Sequence, residues 1–212
     1  LGKILMDGSL YRGAKPVMWS PVEKTALAEA EIEYEDHTST TIFARFPVQT
    51  SPLEALRGSS IVIWTTTPWT MPGNRAIAFG NDISYSVIEV VSVKDDVLVR
   101  AGDVLCVADD LCGAVMAALG IEAMNTRATF YGSEIAGTVA AHPLAAQGYD
   151  FDVPLLAGSH VTTDQGTGFV HIAPGHGIED YELAHLQHAI AVPETVGEDG
   201  YILSHLPLYG GM

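Results

Sequence analysis

The chain has 212 residues, 48% of them hydrophobic and 17% charged, a composition that supports one well-cored domain and excludes a disordered chain. Lys and Arg number 10 against 26 Asp and Glu, a formal net charge of −16, with no Lys or Arg beyond Arg127. Such a chain cannot grip a nucleic-acid backbone by neutralising phosphates, so a nucleic-acid role is confined to a short single-stranded end or to basic surface supplied from elsewhere.

The chain opens on Leu1-Gly2-Lys3 with neither an initiator Met nor a signal peptide, and reads as a cytoplasmic fragment of a longer protein. No apolar run approaches the ~20 residues that span a bilayer, so no membrane partner is expected. Leu1 to Leu10 reads as the tail of a helix, with a turn at Tyr11-Arg12-Gly13, and Val17 to Trp19 as a short strand. Glu23 to Glu31 has good helix formers but a β-compatible continuation through Tyr34, and both readings stay open. Thr40 to Phe46 alternates as a strand does, Leu53 to Leu56 forms a helical turn between Pro52 and Gly58, and Ile61 to Trp64 is a buried strand. Ala76 to Phe79, Tyr85 to Val93, Val97 to Arg100 and Val104 to Val107 are strands joined by hairpin signals at Gly80-Asn81-Asp82, Lys94-Asp95-Asp96 and Ala101-Gly102-Asp103. Asp109 to Leu119 is a helix ended by Gly120. Thr129-Phe130, Glu134 to Ala140, Val153 to Leu156 and His160 to Thr163 follow as short strands, and a last helix runs from about Ile178 to Ile190. Cys106 and Cys112 lack Cys-x-x-Cys spacing, which indicates neither a zinc site nor a disulfide framework. The pattern predicts a β-rich α+β fold, a closed or nearly closed β-barrel with two or three helices outside it, in one domain over residues 1–212 with about residues 1–15 as a leading segment.

Two stretches carry chemistry. Thr65-Thr66-Thr67-Pro68-Trp69-Thr70-Met71-Pro72-Gly73-Asn74 hangs four hydroxyls and a carboxamide on a loop shaped by two prolines. Hydroxyls at a strand mouth can hold a water or a ribose, and Trp69 can stack on a base; the alternative is a Thr-rich strand end with a packed Trp. Gly166-Thr167-Gly168-Phe169-Val170-His171-Ile172-Ala173-Pro174-Gly175-His176 leads through Gly177 into Ile178-Glu179-Asp180-Tyr181. Gly166 and Gly168 would let a ligand approach the backbone, Phe169 to Ala173 forms a buried strand, and Pro174-Gly175 ends it. Alternation puts Phe169, His171 and Ala173 on one face. Asp180 then falls in the first turn of the last helix, where free N–H groups and the helix dipole favour a carboxylate, and a fixed anion beside such a cleft suits an ammonium ligand. The alternative has Asp180 capping the helix and His171 in the core. His171, His176, His185 and His188 also raise a metal hydrolase, but no His-Glu-x-x-His occurs and no metal ligand is assigned.

Together, Trp64 to Asn74 and Gly166 to Tyr181 resemble the two signature stretches of the editing insertion of isoleucyl-tRNA synthetases. Lys15-Pro16-Val17-Met18-Trp19-Ser20-Pro21 and Thr25 to Glu29 resemble the opening of that insertion, so the likeness covers nearly the whole chain. Valyl and leucyl relatives share the Gly-Thr-Gly segment and the closing Asp but carry Arg where Thr67 stands and lack Pro68-Trp69-Thr70. The adenylation signatures of class I synthetases, His-Ile-Gly-His and Lys-Met-Ser-Lys-Ser, do not occur.

The resemblance implies hydrolysis of valine esterified to the 3′-terminal adenosine of isoleucine tRNA, with valyl-adenylate as a further substrate and the rest of the parent synthetase as partner. An isoleucine pocket rejects valine only modestly, and this family is itself the usual illustration of the limit, at about 150-fold. On this reading Asp180 holds the α-ammonium, Thr65, Thr66 and Thr67 position water and ribose, and His171 limits the side-chain pocket. Trp69 and Asn74 shape the adenosine end, and Thr70, Gly166, Thr167, Gly168 and His176 complete the substrate-binding set. No cofactor is implied for this chain, ATP being used by the parent enzyme elsewhere. With no Ser-His-Asp or Cys-His arrangement, an oriented water attacks directly, helped by the ribose hydroxyl.

Overall fold

The computed structural model describes residues 2–10, 13 and 15–212. Tyr11 and Arg12 of the expected first turn lie outside the described residues. Helix α1 (Gly2–Met6) precedes a two-stranded ribbon of β1 (Trp19–Ser20) and β2 (Thr25–Ala26). Thus Glu23 to Glu31 is neither a full helix nor a full strand; it holds β2 and one 3-10 turn at Glu29–Glu31, where Ala28 N–H donates to the Glu31 carboxylate.

Nine further strands form one sheet: β3 (Ile42–Thr50), β4 (Ser60–Thr65), β5 (Ala76–Phe79), β6 (Ser84–Val93), β7 (Val104–Ala108), β8 (Ile121–Tyr131), β9 (Val139–Ala141), β10 (Asp152–Ala157) and β11 (Phe169–Ile172). Their order is β11-β5-β10-β9-β3-β4-β7-β6-β8. Helix α2 (Cys112–Leu119) packs on β8 and ends at Gly120 in the left-handed conformation (φ 70°). Helix α3 (Ile178–Tyr181) widens into a π turn over Glu182–Gln187, so the last helix stops before Ile190.

The fold is β-rich with a few short helices, but the expected barrel does not close: β11 and β8 are the two ends of the ladder. β8 is unsuited to a second partner because Glu122, Asn125, Thr126, Arg127 and Thr129 stand exposed along it, and a polar, charged edge resists pairing. The sheet nevertheless bends enough for β11 to lie against β4, and Ala108 N–H at the end of β7 donates to Thr167 O (2.8 Å).

Four further expectations are also corrected. Gly80-Asn81-Asp82 is not a hairpin, because β5 pairs with β10 in parallel and β11 antiparallel, as befits a strand whose four residues are all buried. Val97 to Arg100 belongs to the long β6–β7 connection, turned at Asp96 (φ 59°). His160 to Thr163 is loop, and Glu134 to Ala140 yields a strand only from Val139.

Alternation on β11 is realised. Phe169 joins the main core with Ile77 and Phe79, whereas Ile172 joins Ala76 and Ala78 in a second cluster that seats Leu183 and Ala184 of the last helix. The Gly166–Gly168 loop is pinned from the core: the Tyr85 hydroxyl accepts from Gly80 N–H (2.9 Å), donates to Gly168 O (2.7 Å), and its ring stacks on Phe169 at 4.4 Å. Gly168 has φ 77°, and a Cβ there would collide with Ala108. Its missing side chain therefore serves the close approach of β7, not of a ligand. Gly168→Ala is expected to destabilise the fold by about 3 kcal/mol, combining left-handed strain with overpacking, as read from the denaturant midpoint; an unchanged midpoint would contradict this packing.

Candidate active site

A cavity of about 400 Å³ lies where the end of β4 and the Pro68–Gly73 turn meet β11, its preceding loop and α3. Thr65, Thr66, Thr67, Trp69, Thr70, Gly166, Thr167, Gly168, His171, His176 and Asp180 all line it, although the two stretches that supply them are about ninety residues apart in the chain. Asn74 alone of the expected residues does not.

The floor is a chain of hydrogen bonds whose direction the donors settle. Asn74 Nδ2 donates to Ala76 O (2.9 Å), which fixes the carboxamide, and to His171 Nδ1 (2.8 Å). A nitrogen that accepts cannot also carry the ring proton, so His171 is protonated at Nε2 and donates to Thr70 Oγ1 (2.9 Å). The Thr70 hydroxyl in turn donates to Thr67 O (2.8 Å). His171 is 8% exposed and Asn74 0%. The expectation that Asn74 shapes an adenosine end is thus corrected: its carboxamide sits behind His171 and orients that ring.

The hydroxyls divide by use. Thr65 Oγ1 accepts from Thr67 N–H (3.1 Å) and lies 3.3 Å from Thr67 Oγ1, holding the turn out of β4, while Thr66 and Thr67 are exposed. Thr167 is buried, its hydroxyl donating to Phe169 O (3.2 Å), so its side chain serves its own loop. Trp69, 52% exposed, meets the His176 ring edge-on at 5.1 Å, and His176 Nε2 is 2.7 Å from Thr195 Oγ1.

Asp180 does not cap its helix; the residue at that position is Gly177. Instead Oδ2 accepts from Ala173 N–H (2.8 Å), tying α3 to the end of β11. Among the described residues the second oxygen, Oδ1, has no hydrogen bond, which leaves it to a ligand. Gly177 allows this approach, since a Cβ there would come within 3.0 Å of Asp180 Cγ. Trp64, His160, Thr162, Gln165 and Val170 also line the cavity and were not expected. The β-branched run after His160 reads as strand, which hid that loop. Among the described residues no group of three or more His, Cys, Asp or Glu could hold a metal ion.

The family description tRNA synthetases class I (I, L, M and V) matches residues 1–199. The chain belongs to this family. Among its relatives, the isoleucine--tRNA ligase of Gluconobacter oxydans is 52% identical over 214 residues, covering 100% of this chain and 22% of that protein. That of Caulobacter vibrioides is 49% identical over 218 residues, covering 99% of this chain and 22% of its own length. This class I chain therefore spans about a fifth of the length of the curated relatives it matches. Among solved structures, the P. knowlesi cytosolic leucyl-tRNA synthetase editing domain shares 12% identity over 66% of this chain and 59% of that chain, with a TM-score of 0.49. Among the described residues no helix is long and apolar enough to cross a membrane.

Burial sets the electrostatics of this synthetase cavity. It drives the His171 pKa down to about 4, helped by the His142 and His176 rings, and lowers that of His176 as well. Burial also pushes the Asp180 carboxyl above its ordinary value, against the opposing pull of Ala173 N–H and the His160 imidazole. His142, below the cavity, is likewise held neutral with a pKa of about 4: desolvation dominates, its Nε2–H donates to Met71 O (3.0 Å) and Nδ1 accepts from Leu144 N–H (3.1 Å). Since the unfolded chain protonates these rings nearer 6.5, it binds more protons than the folded one below that pH. The stability they contribute is complete above pH 6.5 and lost as pH falls toward 4. Thermal unfolding is expected to show the midpoint dropping across this window, and a flat profile would contradict neutral, sealed imidazoles.

Proposed function

We propose that this chain is an editing domain of an isoleucine--tRNA ligase and hydrolyses valine wrongly esterified to the 3′-terminal adenosine of isoleucine tRNA, with valyl-adenylate as a second substrate. The observation that carries this reading is the convergence of Thr65 to Thr70 and Gly166 to Asp180, the stretches that bear the family likeness, on one cavity with an unshared Asp180 oxygen.

On this reading Asp180 Oδ1 accepts from the α-ammonium and fixes the ester carbonyl where a water can reach it. The exposed Thr66 and Thr67 hydroxyls hold that water and the ribose, and Trp69 offers a face to the adenine. The neutral His171 ring, bonded on both nitrogens, forms a rigid floor whose bulk admits valine and excludes isoleucine. Water adds to the carbonyl and the ribose oxygen leaves, taking a proton, to give valine and free tRNA. Activation of isoleucine with ATP falls to other parts of the parent enzyme, whose basic surface would supply the tRNA grip that a chain of net charge −16 lacks.

The test is deacylation of isoleucine tRNA mischarged with valine by the full-length protein. Valine is expected to be released far faster than in buffer while correctly attached isoleucine is spared; retention of both would reduce the chain to a module that only binds the acceptor end.

A further inference from the structure

Thr195 lies outside both signature stretches, yet it holds one of the cavity-lining rings. It is 4% exposed, and its hydroxyl lies 2.7 Å from His176 Nε2. Among the described residues no other group hydrogen-bonds that hydroxyl. A buried hydroxyl has one proton to place, and leaving it without an acceptor is costly. The proton therefore goes to Nε2, and the ring proton of a neutral His176 sits on Nδ1. Burial lowers the His176 pKa, which keeps the ring neutral at pH 7. The ring edge that bears Nε2 is turned inward: a Cβ at Gly73 would come within 3.1 Å of His176 Cδ2, 3.2 Å of Nε2 and 3.6 Å of Thr195 Oγ1. Nδ1 lies off that edge. Among the described residues the buried side-chain polar atoms with no partner are Asn74 Oδ1 and His160 Nε2. His176 Nδ1 has no partner either and is not one of them, so it is open to solvent, on a ring that lines the cavity.

The tautomer matters because of what stands beside the ring. His176 meets Trp69 edge-on at 5.1 Å, with the two planes 84° apart, and both rings also line a neighbouring cavity of about 800 Å³. Stacking on an indole is indifferent to which base is stacked, whereas a fixed N–H asks for an acceptor. An adenine on Trp69 brings ring nitrogens that accept. A free imidazole in water favours the Nε2–H tautomer, which would present an acceptor at Nδ1 and oppose those nitrogens. The hydroxyl of Thr195 reverses that preference and turns the exposed nitrogen into a donor.

We propose that Thr195 is a positioning residue of this cavity, its hydroxyl holding His176 as the Nδ1–H tautomer so that the ring donates to a ring nitrogen of the terminal adenine. This rests on the editing reading above and adds the group that sets how its base is recognised. The test compares wild type, Thr195→Val, Thr195→Ser and His176→Phe in the full-length protein. Solid-state nitrogen NMR of histidine-labelled protein distinguishes the two neutral tautomers, and the His176 signals are those that His176→Phe removes.

Wild type and Thr195→Ser, which keeps the hydroxyl, are expected to carry the His176 proton on Nδ1. Thr195→Val keeps the shape without the hydroxyl and is expected to shift the ring to Nε2–H. On valyl-tRNA, Thr195→Val is expected to raise KM about fivefold, the effect of one neutral hydrogen bond, with kcat nearly unchanged and Thr195→Ser close to wild type. Added to His176→Phe, the same change is expected to have no further effect on KM, because the ring it orients is gone. A threonine that only packs would leave the tautomer where it was. An Nε2–H tautomer in wild type, an unchanged tautomer in Thr195→Val, or a wild-type KM in that variant would overturn the assignment. Should Thr195→Val not fold, Thr195→Ala set against Thr195→Ser makes the same comparison. If wild type releases no valine the editing reading falls and takes the adenine contact with it; if wild type is active and Thr195→Val is unimpaired, only the role of Thr195 falls.

Discussion

Asp180→Asn is expected to lower valyl-tRNA hydrolysis by about 100-fold or more while leaving the protein at least as stable at pH 7. The amide keeps an oxygen that can accept from Ala173 N–H, so the tie between β11 and α3 survives. What disappears is the charge that anchors the ammonium. The same charge is a burden on the folded chain, because burial raises the Asp180 pKa. A carboxyl with a raised folded pKa favours folding least when ionised. The stability margin of the Asn variant over wild type is thus expected at neutral pH and should close as pH falls through the raised pKa toward the unfolded value of 3.8. Asp180→Ala would lose the Ala173 partner as well, at a cost of roughly 1–3 kcal/mol, more than a first-turn carboxylate alone contributes. Paired melting curves and single-turnover deacylation separate these effects, and undiminished hydrolysis by the Asn variant would remove Asp180 from the mechanism.

His171→Ala is expected to turn proofreading into futile cycling. A rigid wall that excludes one methylene supplies about 1–3 kcal/mol of discrimination, or roughly 10–200-fold, and truncating it should bring isoleucyl-tRNA hydrolysis up by that order. The surroundings tolerate the loss in part, since Thr70 still donates to Thr67 O and Asn74 to Ala76 O. The remaining cost, a small cavity and two broken hydrogen bonds, is about 2–3 kcal/mol. Charging assays would show low accumulation of isoleucyl-tRNA with raised ATP consumption. If the variant still spares isoleucyl-tRNA while clearing valyl-tRNA, the size limit lies elsewhere, in the Thr65 to Trp69 wall.

Which residues line the cavity was largely legible in the sequence because its parts are local. A strand of alternating residues ending in Pro174-Gly175 fixes which face His171 takes, and the observed partners Ile77 and Phe79 lie on that face. A helix opening at Ile178 places Asp180 in the first turn whatever the rest of the chain does. Asn74 was misread because a carboxamide in a Pro-Gly loop looks exposed; its burial depends on His171, far along the chain. Gly168 was rightly seen as a close approach, but Ala108, not a ligand, is what approaches. Sheet order was the least legible. Four buried apolar residues in β5 specify no partner, so β10 and β11, well over seventy residues later, claim the place that the neighbouring β6 seemed to hold. Closure failed for a similar reason: it depends on tilt and on both edges at once, and the polar outer edge of β8 is visible as such only after β6 has taken its other side.

A crystal structure of the protein with a non-hydrolysable 3′-valylamino-3′-deoxyadenosine would show whether this cavity seats a valylated adenosine. The α-ammonium is expected on Asp180 Oδ1, the valine side chain against His171 and the ribose beside Thr66 and Thr67. A ligand seated away from this cavity, or inside it with the ammonium turned from Asp180, would overturn the assignment of this cavity to the valyl ester.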